Sequence, residues 1–358
     1  MHENIEQSTT GFAIIGTGAI AHIHAEVIKQ IENAVLVGVH NRTKFKADAF
    51  ADQHECIAYD KLEEMLKNEN ITIVCICTAS GAHLEPAIAC INAKKHCLIE
   101  KPLEITVERC RQIISAAETN NVRVATIFPS RFHPASLQIK RALDGGHFGD
   151  LVLGNAYVKW SRDDAYYNSA DWRGTWSLDG GGALMNQGIH ALDLLQWYMG
   201  SVESVFAFSA NRRHKNIEVE DTLMATIKFN SGALGSIECT TAAYPGSLKK
   251  IEITGTSGSV VLEENDILKW DFKEDTMIEN LQVNSDVKLE NKGGVDKPMN
   301  ISNEGHLLQI KEFLASIKLG TKSLLEGSEG ITSVEIINAI YKSVKLGTSV
   351  QIRQNATK

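Results

Sequence analysis

Hydrophobic positions along the chain fall into two regimes. Up to about residue 128, short unbroken apolar runs alternate with helical patterns. Phe12-Ala13-Ile14-Ile15, Ala34-Val35-Leu36-Val37-Gly38-Val39, Ile71-Thr72-Ile73-Val74-Cys75-Ile76-Cys77 and Lys95-His96-Cys97-Leu98-Ile99 read as strands, the third buried on both faces. Helical spacing is expected near 22–31, 43–54, 60–68, 82–94 and 106–119. Strands and helices in that alternation build a parallel sheet. From about 151 the period drops to two. Residues 223, 225, 227 and 229 form one apolar face, Asn230-Ser231-Gly232 turns the chain into 233–241, and Lys250–Thr254 returns through Gly255-Thr256-Ser257-Gly258 into Ser259–Glu263. Helical spacing resumes over 301–319, where His306 is expected near the cleft, and over 329–346. Two domains are expected, 1–128 and 129–358, and 358 residues suffice for two separate cores.

The first apolar run leads straight into Gly16-Thr17-Gly18-Ala19-Ile20-Ala21 and then a helix. This is the dinucleotide fingerprint in its G-x-G-x-x-A form. One glycine makes the turn, the next lets a pyrophosphate approach, and a small third residue lets helix pack on strand. The cofactor-side candidates are Gly16, Gly18, Ala19, Ile20, Asn41, Arg42, Thr78, Ser80, His83, Glu100 and Lys101. The second strand ends in His40-Asn41-Arg42-Thr43, with no carboxylate for a ribose 2′-hydroxyl and an arginine able to pair a 2′-phosphate. The cofactor is therefore NAD or NADP, with a slight lean to NADP. Thr78, Ser80 and His83 follow a parallel strand, where ligands of open α/β sheets bind, and His83 either lines the cofactor or begins the next helix. Glu100-Lys101-Pro102 places a cation at the sheet's carboxyl edge.

A second glycine turn, Asp179-Gly180-Gly181-Gly182, precedes a helical run through Trp197. Spacing there puts Asn186, His190 and Asp193 on one face, an arrangement that can handle a proton. Before it, residues 160–176 hold Trp160, Trp172, Trp176, Tyr166, Tyr167, Arg162 and Arg173. Aromatic faces suit sugar CH groups and arginine forks suit carboxylates or phosphates, so this loop is a candidate carbohydrate-binding element. Residues 273–300 are polar enough for an excursion from the sheet. A net charge of −8 argues against nucleic acid as partner, and no apolar run is long enough to span a bilayer. The seven cysteines form no CxxC pair, so reduced thiols in the cytoplasm, and no metal site, are expected. The polar stretch from Met1 to Gly11 reads as a disordered lead-in rather than a targeting signal.

Taken together, the fingerprint, Glu100-Lys101-Pro102, and Gly180-Gly181-Gly182 followed by Asn186 and His190 resemble the Gfo/Idh/MocA family of NAD(P)-dependent oxidoreductases. Arg131-Phe132-His133-Pro134, Phe148-Gly149-Asp150, Glu329-Gly330 and Tyr341-Lys342-Ser343 extend the resemblance over nearly the whole chain. It implies an α/β Rossmann domain plus an α+β domain with a large open, mainly antiparallel sheet. It also implies hydride transfer between NAD(P) and a CH–OH group of a sugar, inositol or nucleotide sugar. By that likeness Lys101 and His190 are catalytic, with Asn186 in place of an aspartate found in many members. Arg131, Tyr166, Trp172, Arg173, Asn186 and His190 are the candidates for substrate binding. The open sheet implies a homodimer or homotetramer. Two other readings stay open: an NAD-dependent glycosidase working by transient oxidation, and a non-catalytic cofactor-binding regulator.

Overall fold

The structure, a computed structural model, describes residues 9–273 and 303–352. The expected polar excursion over 273–300 lies outside these residues apart from Lys273. Of the expected disordered lead-in, Thr10 and Gly11 already belong to the first strand. The chain forms two compact units. One comprises residues to Ile127 together with His306–Ile331, the other Phe128–Gly305 and the residues from Thr332 onward.

In the first unit the order is β1 (Thr10–Ile15), α1 (Ala19–Lys29), β2 (Ala34–His40), α2 (Lys44–His54), β3 (Ile57–Tyr59), α3 (Leu62–Lys67), β4 (Ile73–Ile76), α4 (Leu84–Asn92), β5 (His96–Ile99), α5 (Val107–Asn120) and β6 (Val124–Thr126). All strand pairs are parallel, in the order β3-β2-β1-β4-β5-β6. Every residue of β4 is buried, as helices on both faces of a parallel sheet require.

The second unit contributes α6 (Pro134–Asp144), β7 (Leu151–Lys159), α7 (Asp164–Asn168), α8 (Ile189–Met199), β8 (Val202–Ala210), β9 (Thr222–Phe229), β10 (Leu234–Thr240), β11 (Lys250–Gly255), β12 (Gly258–Glu263) and β13 (Asp266–Phe272). Then come α9 (Glu304–Leu319), α10 (Glu329–Leu346) and β14 (Val350–Gln351). Eight strands order as β13-β12-β11-β7-β10-β9-β8-β14, antiparallel throughout except for β7 with β10. Their alternation is clean: Leu223, Ala225, Ile227 and Phe229 are buried while Met224, Thr226 and Lys228 point the other way. Helix α8 lies against β7 and β11. Gly154 permits this approach, because a Cβ there would stand 2.6 Å from Met199.

From α9, Ile310, Phe313 and Leu314 enter the apolar core that Phe12, Ile14, Ile73 and Leu98 form in the first unit. Burying side chains of this size contributes roughly 1.5–3 kcal/mol each. The helix is thereby fixed to the first unit although it lies near the end of the chain.

Candidate active site

The first glycine turn is built for close backbone approach. Gly16 has φ +99°, and a Cβ on it would stand 2.5 Å from the Cys77 carbonyl oxygen. A Cβ on Gly18 would meet nothing within 4 Å, so the turn opens onto free space there. Helix α1 starts at Ala19 with no side-chain cap, so its first N–H groups and helix dipole face an outside acceptor. Open space above uncapped amide donors fits a pyrophosphate. Ile20 packs on the core behind the turn. Asn41 donates to Thr17 Oγ1 (2.7 Å) and accepts from the Thr43 amide (2.8 Å), clipping the end of β2 to the turn. Arg42 beside it is exposed. Thr78 donates to the Ala82 carbonyl, and Ser80 is buried at the start of a short 3-10 turn.

Two expected cofactor ligands turn inward instead. His83 is fully buried, its Nδ1–H donating to the Pro102 carbonyl (2.9 Å), and burial pushes its pKa down, so the ring is neutral. It ties the 78–83 loop to the Lys101-Pro102 turn. Glu100 accepts from His24 Nε2 (2.9 Å), lies 3.8 Å from His306 Nε2, and accepts its neighbour's amide, that of Lys101, on Oε2 (3.2 Å). Burial works against its ionisation, but the bonds from His24 and His306 win and hold the carboxyl well below the usual range. Burial likewise opposes charge on His24, yet the Cys75 sulfur and the Glu100 carboxylate raise it to about 10. The three donor atoms lie within 4.8 Å of one another, a ligand set a metal could use. At 2.9 Å the His24–Glu100 contact is already a direct ion pair, and the set closes on itself. His306, expected near the cleft, belongs to this buried group in the first unit. Lys101, half-buried, follows directly.

In the second unit the glycine turn leads into a π-helix, Ala183–Gly188, and only then into α8. Side chains shape that entry. A Cβ on Gly182 would overlap the Glu220 carbonyl oxygen, and one on Gly181 would overlap the Tyr341 hydroxyl. The Glu220 carboxylate accepts from the Gly182 amide (3.0 Å), the Leu184 amide (3.0 Å) and the Tyr341 hydroxyl (3.0 Å). Burial still raises its pKa to about 7 against these donors. Sequence reasoning missed Glu220, because nothing near position 220 signals a bond made 36 or 38 residues earlier. His190, in the first turn of α8, is half-exposed and meets the edge of Phe128 at 5.9 Å between ring centroids.

Asp193, expected beside that imidazole, is occupied elsewhere. Arg131 donates to both its oxygens (2.8 and 2.7 Å), and Ser333 adds a third bond. Arg131 is fully buried, so its expected contact with substrate gives way to a structural one: it clamps α8 from below. Asn186 is likewise engaged. Its amide donates to Asp179, and its Oδ1 accepts from Gln187 (2.9 Å) and the Tyr166 hydroxyl (3.4 Å). Tyr166 also accepts from Arg173 (2.7 Å), whose guanidinium lies over the Trp172 ring. Tyr166, Trp172, Arg173 and Asn186 are thus brought together in one network.

A parallel 3-2-1-4-5-6 sheet carrying a glycine turn that fits a pyrophosphate is the arrangement of a dinucleotide-binding domain. Residues 10–128 match the family model described as oxidoreductase family, NAD-binding Rossmann fold, and residues 136–261 match the GFO/IDH/MocA C-terminal domain. The chain belongs to this family and is an NAD(P)-dependent oxidoreductase. Among solved structures it is similar to the WlbA dehydrogenase of Bordetella pertussis in complex with NADH and UDP-GlcNAcA. That protein is 30% identical, with 97% of this chain and 100% of that one covered and a TM-score of 0.85. The Chromobacterium violaceum WlbA dehydrogenase, in complex with the same two molecules, is 32% identical over 98% of each chain, with a TM-score of 0.86. A myo-inositol 2-dehydrogenase of Thermotoga maritima is 26% identical over 95% of this chain and 98% of its own. No helix among the described residues is long and apolar enough to cross a membrane.

Proposed function

We propose that this protein is a dehydrogenase acting on a secondary alcohol of a sugar-like substrate, with a nucleotide sugar the favoured class. The observation that carries this reading is the half-exposed imidazole of His190, held on a helix whose entry is fixed by Glu220 and Tyr341 and whose body is clamped by Arg131. An imidazole so placed takes the hydroxyl proton. NAD(P) supplies the hydride acceptor. Lys101, at the carboxyl end of β5, is the positive charge proposed to stabilise the developing alkoxide. Its backbone is fixed by the buried Glu100 and by His83. Asn186 becomes a positioning residue, since its amide and carbonyl hold Asp179 and Tyr166. The nucleotide-sugar class rests on the two WlbA dehydrogenases, whose complexes hold UDP-GlcNAcA, and on this chain's aromatic and arginine network at 160–187.

Arg42 is the residue proposed to meet a cofactor 2′-phosphate, which keeps a slight lean to NADP, although the WlbA complexes hold NADH. Replacing Arg42 with Ala should raise KM for NADP several times more than KM for NAD.

The test is formation of reduced nicotinamide with nucleotide sugars, inositols and free hexoses, using each cofactor. Lys101→Ala and His190→Asn should each lower kcat/KM by roughly 10²–10⁴. If both variants stayed within about threefold of wild type, the assignment would be wrong. Release of a sugar aglycone without net cofactor reduction would transfer the same residues to the transient-oxidation reading.

A further inference from the structure

We propose that Arg173 receives an anionic group, a carboxylate or a phosphate, carried by the substrate. This rests on the dehydrogenase reading for the identity of the site, but not for the binding itself.

Arg173 is held like a ligand-binding fork rather than like a surface arginine. Its guanidinium carbon lies 4.4 Å from the centroid of the Tyr166 ring and 4.7 Å from that of Trp172. Nε donates to Ser169 Oγ (3.0 Å) and Nη1 to the Tyr166 hydroxyl (2.7 Å). Two rings and two hydrogen bonds therefore fix the plane, and the rotamer entropy a binding arginine normally loses is already lost. All of these partners are neutral. Among the described residues no carboxylate stands within salt-bridge distance of Arg173, although the side chain is half-buried.

Charge in the surrounding network points the same way. Arg162, 3% exposed, lies 5.3 Å from the Tyr166 ring centroid and donates to Gln187 Oε1 (3.1 Å). Two guanidiniums, those of Arg162 and Arg173, thus stand against the Tyr166 ring, while Asp179, the acidic member, is bonded to Asn186 and the Gly174 amide. A planar fork with N–H donors remaining on its outer edge matches the two oxygens of a carboxylate or phosphate. The rings beside it suit the CH face of a sugar. A neutral sugar would leave the charge to water alone.

The same network reaches the proposed proton acceptor. Tyr166 bonds Asn186 and Gln187 in the π-helix that runs directly into α8, so hydrogen bonds tie the fork to the segment that carries His190. An anion seated on Arg173 would orient the sugar ring as well as hold it.

The test pairs acidic with neutral probes on the full-length protein. UDP-glucuronic acid against UDP-glucose isolates a sugar carboxylate, glucose 6-phosphate against glucose isolates a phosphate, and UDP alone isolates the diphosphate. Binding is measured by calorimetry with NAD present, without requiring turnover, for wild type, Arg173→Gln and Arg173→Lys. One acidic probe should bind roughly ten- to a hundredfold more tightly than its neutral partner or, for UDP, than uridine. Arg173→Gln should erase that preference while changing neutral-probe binding by less than about threefold, and Arg173→Lys should keep part of it. Loss of acidic and neutral binding to the same extent in Arg173→Gln, with Arg173→Lys equally impaired, would overturn the proposal. So would the absence of any acidic preference in wild type. Arg173-dependent binding alongside Lys101→Ala and His190→Asn variants that keep wild-type turnover would reject the dehydrogenase reading and leave the anion site standing.

Discussion

Glu220 shows how one carboxyl can set a site without touching substrate. Its folded pKa, about 7, stands above the ordinary 4.5. The raised value means its contribution to stability is complete below about pH 4.5 and is lost as pH rises through 7. The size of the shift corresponds to about 3 kcal/mol across that window. The stability of wild type minus that of Glu220→Gln, followed by thermal melts, should therefore fall from pH 4.5 to 7 and then level off. A flat difference would mean that the three donors offset burial completely. His24 and Glu100 run in a different window. Glu100 is held below its ordinary value, so its contribution is present at neutral pH and lost only in acid. His24, raised to about 10, contributes below about pH 6.5 and loses that contribution as pH passes 10. Glu100→Gln leaves His24 charged and buried without its counterion, and should cost about 3–5 kcal/mol at pH 7 by denaturant melt. At this scale Lys101 and His190 were legible because short motifs surround them. Glu100 and His83 were legible as positions but not as inward-facing groups, because burial is decided by α1 and by the Lys101-Pro102 turn. Arg131 was legible as a candidate but not as the buried partner of Asp193, which lies 62 residues on.

At the scale of elements, the strands of both sheets could be read from apolar runs and from period two, since those patterns follow directly from which faces are covered. The π-helix at 183–188 could not. Its sequence has ordinary helical spacing, whereas its entry is set by Glu220 and Tyr341, which accept the Gly182, Leu184 and Met185 amides and leave no room for a Cβ on Gly181 or Gly182. The glycine triplet is legible as a turn, yet its crowding is a tertiary fact. Gly182→Ala would force the turn off the Glu220 carbonyl, and kcat/KM should drop by at least about a hundredfold while a folded species persists by circular dichroism. Activity near wild type would show that the turn relaxes without moving His190. Helix α9 makes the complementary case. Phe313 is fully buried in the core of the first unit, and Phe313→Ala should cost about 3–5 kcal/mol. Hydrogen exchange should show the loss in β1 and β4 first.

For the molecule as a whole, the exposed face of the eight-stranded sheet suggests assembly. Phe208 (69% exposed) is paired with Met224 (55%), and Leu234 (54%) with Leu153 (43%), so large apolar side chains stand in two rows of this face, with the Thr226–Ser236 pair between them. A face of this kind is costly to leave in water, and we expect a second copy to cover it, as a dimer or tetramer. Light scattering should report a multiple of the 39.3 kDa chain mass, and Met224→Lys combined with Phe208→Glu should reduce it to one copy.

The path of the chain has a further consequence. The dinucleotide half is not a contiguous stretch: its core includes Ile310, Phe313 and Leu314, placed after all but one of the strands of the other unit. During synthesis the first 127 residues leave the ribosome with an apolar gap that is filled only by residues some 180 positions further along. The half made first must therefore wait to be finished, and chaperones would meet it half-closed, whereas the other half has β7 to β13 in hand before α9 is made.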